Sequence, residues 1–300
     1  MKAAFKCDAV RETVRVLLVG VAVACALTTR VEAKSPQPNI VVILVDDMGF
    51  SDIGCYGGEI ETPHIDRLAA RGMRFSQFYN AGRCCPTRAS LLTGRHPHQV
   101  GIGHMTEPPQ QPLGFAGPYQ GHLNDQCVTI AEVLRGAGYH TLMAGKWHVG
   151  FHQKKDWPLQ RGFDRYYGCL NGACNYFQPG GDRGITLGND PVETDAEFYA
   201  TDSFTDYACE FIRDAVTEDE RPFFLYLAYN APHWPLNSKW QEFEKYKGKY
   251  KQGWSEVMKT RLAKQQSLGL FARDIVPAPH VGPKWDSLSA KKREDLDSIM

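Results

Sequence analysis

Apolar and polar positions divide this chain into short blocks that alternate between two periods. Residues 39–49, NIVVILVDDMG, begin as an unbroken β-branched and aliphatic run that stops at two aspartates. That pattern predicts a strand buried on both faces, with carboxylates at its C-terminal end, where α/β sheets place their sites. Residues 62–72, TPHIDRLAARG, carry apolar or small side chains at helical spacing, with Thr62 as N-cap, Pro63 in the first turn and Gly72 as the stop. MRFSQFYNAG (73–82) reads as a further strand. TIAEVLRGAGYHTLMAGKWHVG (129–150) predicts a helix from about Thr129, a glycine break, and a short apolar strand that ends just before Lys146 and His148. SFTDYACEFIRDAV (203–216) is an amphipathic helix, and PFFLYLAYNAPHWP (222–235) is a strand that delivers Asn230 and His233 to a loop. Strands alternating with helices predict an α/β fold, a mostly parallel sheet with helices on both faces. Between Gln153 and Asp195 the pattern weakens into a rim or insertion. From Asn237 to Trp285, Lys, Gln and Trp predict surface helical pieces, and SAKKREDLDSIM opens a last helix capped by Ser289.

Composition narrows the partners. With 43% hydrophobic residues the chain can bury a core, and 34 basic residues against 34 acidic give no overall charge, so nucleic acid is not the expected partner. Lys2, Lys6, Arg11 and Arg15 precede an apolar run, VLLVGVAVACAL, too short to span a bilayer. This predicts a signal peptide over 1–33 with cleavage after Ala33, an exported protein that is periplasmic or secreted, and no stable membrane span after removal. An uncleaved anchor is the alternative, with lipid attachment at Cys25 a minor one. Of nine cysteines, seven would remain, an odd number that singles one out.

Chemistry gathers at strand ends. Asp46 and Asp47 offer hard oxygen ligands for Ca²⁺ or Mg²⁺, or are simply a solvated or capping pair. Lys146 and His148, two residues apart, can hold an anion and move a proton, or can be a surface lysine beside a structural histidine. His233 carries the same ambiguity. Cys84 and Cys85 stand side by side in RCCPTRASLLTGRH (83–96); a zinc site would need a second pair, and Cys169 and Cys174 are spaced too loosely to supply one. His96, His98 and His104 read as structural or rim residues. The segments HPHQVGIGH, CLNGACNYF and NAPHWPL are candidates for shaping a pocket.

Cys84, Pro86 and Arg88 running into ASLLTGR resemble the signature of the sulfatases, and PNIVVILVDDMG, TPHIDRLAARG, GKWHVG and PFFLYLAYNAPHWP follow in that family's order. The resemblance implies an alkaline phosphatase-like fold, with 34–300 as an N-terminal catalytic domain. It also implies hydrolysis of an aryl or carbohydrate sulfate ester by a formylglycine made from Cys84, with a formylglycine-generating enzyme as maturation partner. By the same resemblance Asp46, Asp47 and the modified Cys84 would hold Ca²⁺, Arg88 would orient the nucleophile, and Lys146 would bind sulfate. His148 would take a proton and His233 would assist the leaving group, and Lys146, His148 and His233 together would touch substrate. Cys85 is then only the variable position. The pattern departs from the family after His233, where no later Asp-Asn pair follows an apolar strand. The expectation is an incomplete domain lacking part of the sheet and the small C-terminal domain, with weak metal binding and slight turnover. A non-catalytic, sulfated-glycan-binding remnant is the rival class, and phosphate or phosphonate ester hydrolysis a narrower alternative.

Overall fold

The computed structural model describes residues 37–106, 117–278 and 281–299, so the leader expected over 1–33 lies outside the described residues. Six strands form one sheet: β1 (Ile40–Leu44), β2 (His140–Gly145), β3 (Arg165–Gly168), β4 (Ile185–Leu187), β5 (Asp190–Val192) and β6 (Phe223–Ala228), in the spatial order β1-β6-β2-β3-β4-β5. The first four in that order are parallel, and β4 and β5 add antiparallel at one side. Both central strands, HTLMAG and FFLYLA, are buried at every position, as continuous apolar runs in a two-sided sheet should be.

Each face has its own core. On one, α2 (Cys84–Thr93) and α3 (Ile130–Gly136) supply Cys85, Ala89, Leu92 and Ala131 to a cluster with Met143, Phe224 and Tyr226, while α1 (Pro63–Arg71) buries no residue and adds none to it. On the other, the long helix α4 (Ala200–Glu218) seats Phe204, Ala208, Phe211 and Ala215 against Leu142, Ala144, Leu225 and Leu227. α5 (Trp240–Tyr246), α6 (Trp254–Ser267) and α7 (Ala290–Asp297) follow as the surface helices the composition predicts. Thr129 and Glu132 close a reciprocal capping box on α3, and the Ser289 hydroxyl accepts from Lys292 N to start α7.

Four expectations are corrected. β1 is not buried on both faces: Ile40, Val42 and Leu44 pack inward, but Val41 and Ile43 are 49% and 55% exposed, because α4 packs over β2, β3 and β6 and leaves β1 at the sheet's edge. Residues 73–82 form no strand; their apolar residues Met73, Phe75, Phe78 and Tyr79 are exposed and pair with no sheet edge among the described residues. Thr62 sits at the N-cap of α1 without capping it, since its hydroxyl donates to Asp66 and accepts from Gly54 N instead. The segment read as a rim holds β3, β4 and β5, which are too short to show a period in sequence.

Candidate active site

The C-terminal ends of β1, β2 and β6 converge, and α2 begins beside them. Backbone hydrogen bonds lock the loops that leave these strands: Asp46 N donates to Ala231 O, Lys146 N to Ala228 O, and His148 N to Leu170 O, at 3.0, 2.7 and 3.1 Å. Among the described residues, Asp47 and His148 are the non-glycine positions with left-handed backbone, φ 62° and 56°. Such conformations cost energy and persist where surrounding structure imposes them, commonly at sites.

At the centre is a buried ionic cluster. Lys146 Nζ donates to Asp46 Oδ2 at 2.5 Å, and Arg88 Nη2 lies 3.4 Å from Asp46 Oδ1. Arg88 Nη1 also donates to the Lys146 carbonyl at 2.8 Å and to the Tyr226 hydroxyl at 3.3 Å, while Arg88 Nε is buried with no hydrogen-bond partner. Arg88, Lys146 and Asp46 are 1%, 0% and 5% exposed. Two buried cations thus face one buried carboxylate, and a sequestered surplus of positive charge calls for an anion. Cys84, at the first residue of α2, opens with Asp46, Asp47, Arg83, Thr87 and Arg88 onto a cleft of about 160 Å³.

A second group lies on the other side of Cys84. The Cys85 sulfur, fully buried, is 3.2 Å from His148 Nε2 and 3.8 Å from Thr106 Oγ1, and Met105 Sδ is 3.8 Å from Cys84 Sγ and 3.7 Å from Cys85 Sγ. A hydrogen bond from Cys85, then one from His148 and the charge of Lys146, draw the Cys84 thiol well below its ordinary value against the opposing effect of burial. Burial, reinforced by Cys84, pushes the Cys85 thiol up. Burial also lowers His148 to about 4, so its imidazole is neutral at pH 7. Gly172 presses on that ring: a Cβ there would stand 2.7 Å from its Cε1 and Nε2.

His233 completes the rim. Its Nδ1 donates to the Trp234 carbonyl at 2.6 Å, leaving Nε2 3.8 Å from Asp47 Oδ2. Tyr176 holds the loop by donating to the carbonyls of His233 and Asn230, at 2.6 and 3.2 Å. Asn230 is buried and donates to Cys174 O, with its own Oδ1 unpartnered.

The structure therefore brings together Asp46, Cys84, Arg88, Lys146 and His148, with Asp47 and His233 at the mouth. Sequence reading missed Tyr226, Met105 and Thr106, which carry no signal beyond strand or loop composition. It also read Cys85 as only the variable position of the motif, whereas its sulfur packs on the His148 imidazole. His96 and His98 stack on each other with ring centroids 4.9 Å apart, and His104 accepts from Arg83 at 3.0 Å. All seven described cysteines are free thiols.

A divalent metal fits this geometry only in part. Ca²⁺ takes roughly six to eight oxygens. Asp46 already faces two cations, Asp47 looks to His233, and among the described residues no third carboxylate joins them. The described residues do not make up a calcium shell.

Comparison with known proteins points one way. The family model described as Sulfatase matches residues 38–277. An uncharacterized sulfatase of Schizosaccharomyces pombe is 36% identical over 282 residues, 88% of this chain and 50% of its own length. An arylsulfatase of Klebsiella aerogenes is 35% identical, covering 89% of this chain and 59% of its own. Among solved structures, that of Ps i-CgsB in complex with k-i-k-neocarrahexaose superposes with a TM-score of 0.63 at 31% identity, over 78% of this chain and 54% of that one. The chain spans about half the length of the relatives it matches.

Proposed function

The chain belongs to the sulfatase family, and from that premise we propose that the cleft beside Cys84 is a site for hydrolysing sulfate esters, of an aryl or a carbohydrate alcohol. The observation that carries this is the surplus of buried positive charge: Arg88 and Lys146 converge on Asp46 alone, next to the sulfur at the start of α2. Conversion of Cys84 to formylglycine by a generating enzyme would supply a hydrated aldehyde, with one hydroxyl to attack sulfur and a second to release sulfate.

The residues around it have separable tasks. Lys146 and Arg88 orient sulfate oxygens and offset the charge that grows on them during transfer, where fixed donors count most. Asp46 holds both cations in place. Neutral His148 is free to accept a proton at the Cys84 side chain, having been kept uncharged by burial. His233, its Nδ1 committed to a carbonyl, presents Nε2 at the mouth, where it can serve the departing alcohol oxygen. Asp46 is committed to the two cations, and the described oxygens fall short of a divalent ion's shell. Export through the N-terminal leader belongs to the same proposal; among the described residues no helix is long and apolar enough to cross a membrane.

The test is sulfate release from a chromogenic aryl sulfate by the chain co-expressed with a formylglycine-generating enzyme. Slow release that disappears in Cys84→Ala is expected. Equal release by Cys84→Ala, or faster hydrolysis of the matching aryl phosphate, would overturn the reading.

A further inference from the structure

Four soft or borderline ligand atoms cluster beside the cleft, and sulfate ester hydrolysis has no use for them as a set. Cys84 Sγ, Cys85 Sγ and a ring nitrogen of His148 all lie within 4.8 Å of one another. Met105 Sδ stands 3.8 and 3.7 Å from the two thiol sulfurs. The two sulfur–sulfur separations to Met105 and the 3.2 Å from Cys85 Sγ to His148 Nε2 are close to edges of a tetrahedron around an ion with metal–sulfur bonds of about 2.3 Å and a metal–nitrogen bond of about 2.0 Å. Sequence spacing gave the adjacent cysteines no second pair of ligands. The fold supplies it from two distant places, a loop residue after α2 and the residue three beyond the end of β2.

We propose that the unmodified chain, with Cys84 still a thiol, binds one Cu(I) ion through Cys84, Cys85, Met105 and His148. Three features select this ion. A thioether beside thiolates is a soft donor set, which favours Cu(I) over metals that prefer oxygen. Lys146 and Arg88 stand close by on the other side of Cys84, so a single positive charge is easier to place there than a double one. The ligands are held before metal arrives: Cys85 and His148 are 0% and 1% exposed, Gly172 packs on the imidazole, and part-buried Cys84 gives the entry path from the cleft.

Binding takes both sulfurs as thiolates: the Cys85 proton, and any proton still on Cys84, leaves to solvent, and no oxidation state changes. The consequence concerns maturation. The ion would occupy the same sulfur that formylglycine formation consumes, so the copper-bound precursor and the converted chain exclude each other. The inference concerns the thiol form and stands or falls independently of sulfate ester hydrolysis.

The experiment is an anaerobic titration of the reduced, unconverted chain with Cu(I) against a chromophoric Cu(I) chelator. X-ray absorption at the copper edge follows on the one-equivalent complex. One ion per chain withheld from the chelator is expected, in a sulfur-dominated shell that includes one nitrogen. Cys84→Ser and Cys85→Ala should each weaken retention by tenfold or more, and Met105→Leu, which keeps the packing volume, by a smaller factor. The half-buried Cys55 and exposed Cys209 thiols are controlled by Cys55→Ser/Cys209→Ser, which should retain copper as the parent does. Equal retention by the Cys84→Ser/Cys85→Ala double variant, loss of retention in the Cys55/Cys209 variant, or displacement of copper by equimolar Zn²⁺ would each overturn the assignment.

Discussion

Lys146 Nζ lies 2.5 Å from Asp46 Oδ2, although 100 residues separate them and neither side chain is more than 6% exposed. The pair ties the end of β2 to the end of β1 across the intervening strand β6, and Arg88 joins it from α2. A buried contact of this kind sets both the stability of the site and its charge.

Removing its carboxylate should therefore be costly. Asp46→Ala leaves Lys146 and Arg88 buried without their counter-ion, and breaking a buried pair typically costs about 3–5 kcal/mol. Asp47→Asn, which keeps a side chain that tolerates the left-handed backbone, changes a group 59% exposed, for which roughly 0.5 kcal/mol or less is expected. Denaturant unfolding of the two variants checks the contrast, and equal losses would contradict it.

The same pair predicts a kinetic effect. In the formylglycine form, Lys146→Ala should lower sulfate release by about two to three orders of magnitude, the usual effect of losing one donor to developing charge. Cys85→Ala removes a sulfur 3.2 Å from His148 but no group facing the cleft, so its loss should be much smaller. Initial rates on an aryl sulfate decide the order.

Acid sensitivity follows from His148. Its folded value of about 4 lies below the ordinary 6.5, so between those limits the unfolded chain binds a proton that the folded chain does not. Stability should then fall as pH drops from 6.5 toward 4, by up to about 3 kcal/mol at 1.36 kcal/mol per pH unit. Unfolding free energy measured across that window should flatten in His148→Asn; an unchanged slope would show that the imidazole is not the titrating group.

Calcium should do little for the chain by itself. With Asp46 and Asp47 as the only carboxylates at the spot among the described residues, dissociation should be no tighter than millimolar. One millimolar Ca²⁺ should then stabilise by no more than about 0.4 kcal/mol. A melting curve that rises by several degrees with calcium would mean that other oxygens complete the shell.

Much of this site is legible in the order of residues, because strands buried on two faces are continuous apolar runs and their last residues stand out as ionisable. Asp46, Lys146 and His233 are visible in that way, and Cys84 through its spacing to Pro86 and Arg88. What is not legible depends on packing between distant segments. Val41 and Ile43 read as buried because nothing in a five-residue run marks a sheet edge. The strand assigned to 73–82 has the apolar and aromatic residues of one, yet no described edge accepts its hydrogen bonds. Cys85 and Met105 acquire meaning only when α2 and its following loop are folded against His148.

The most direct test of the central claim is peptide mass spectrometry across residues 83–95 after co-expression with a formylglycine-generating enzyme. An aldehyde at Cys84 with the Cys85 thiol intact is the predicted result. Cys84 recovered as an unmodified thiol in folded protein, with the enzyme shown to be active on a control peptide, would contradict it.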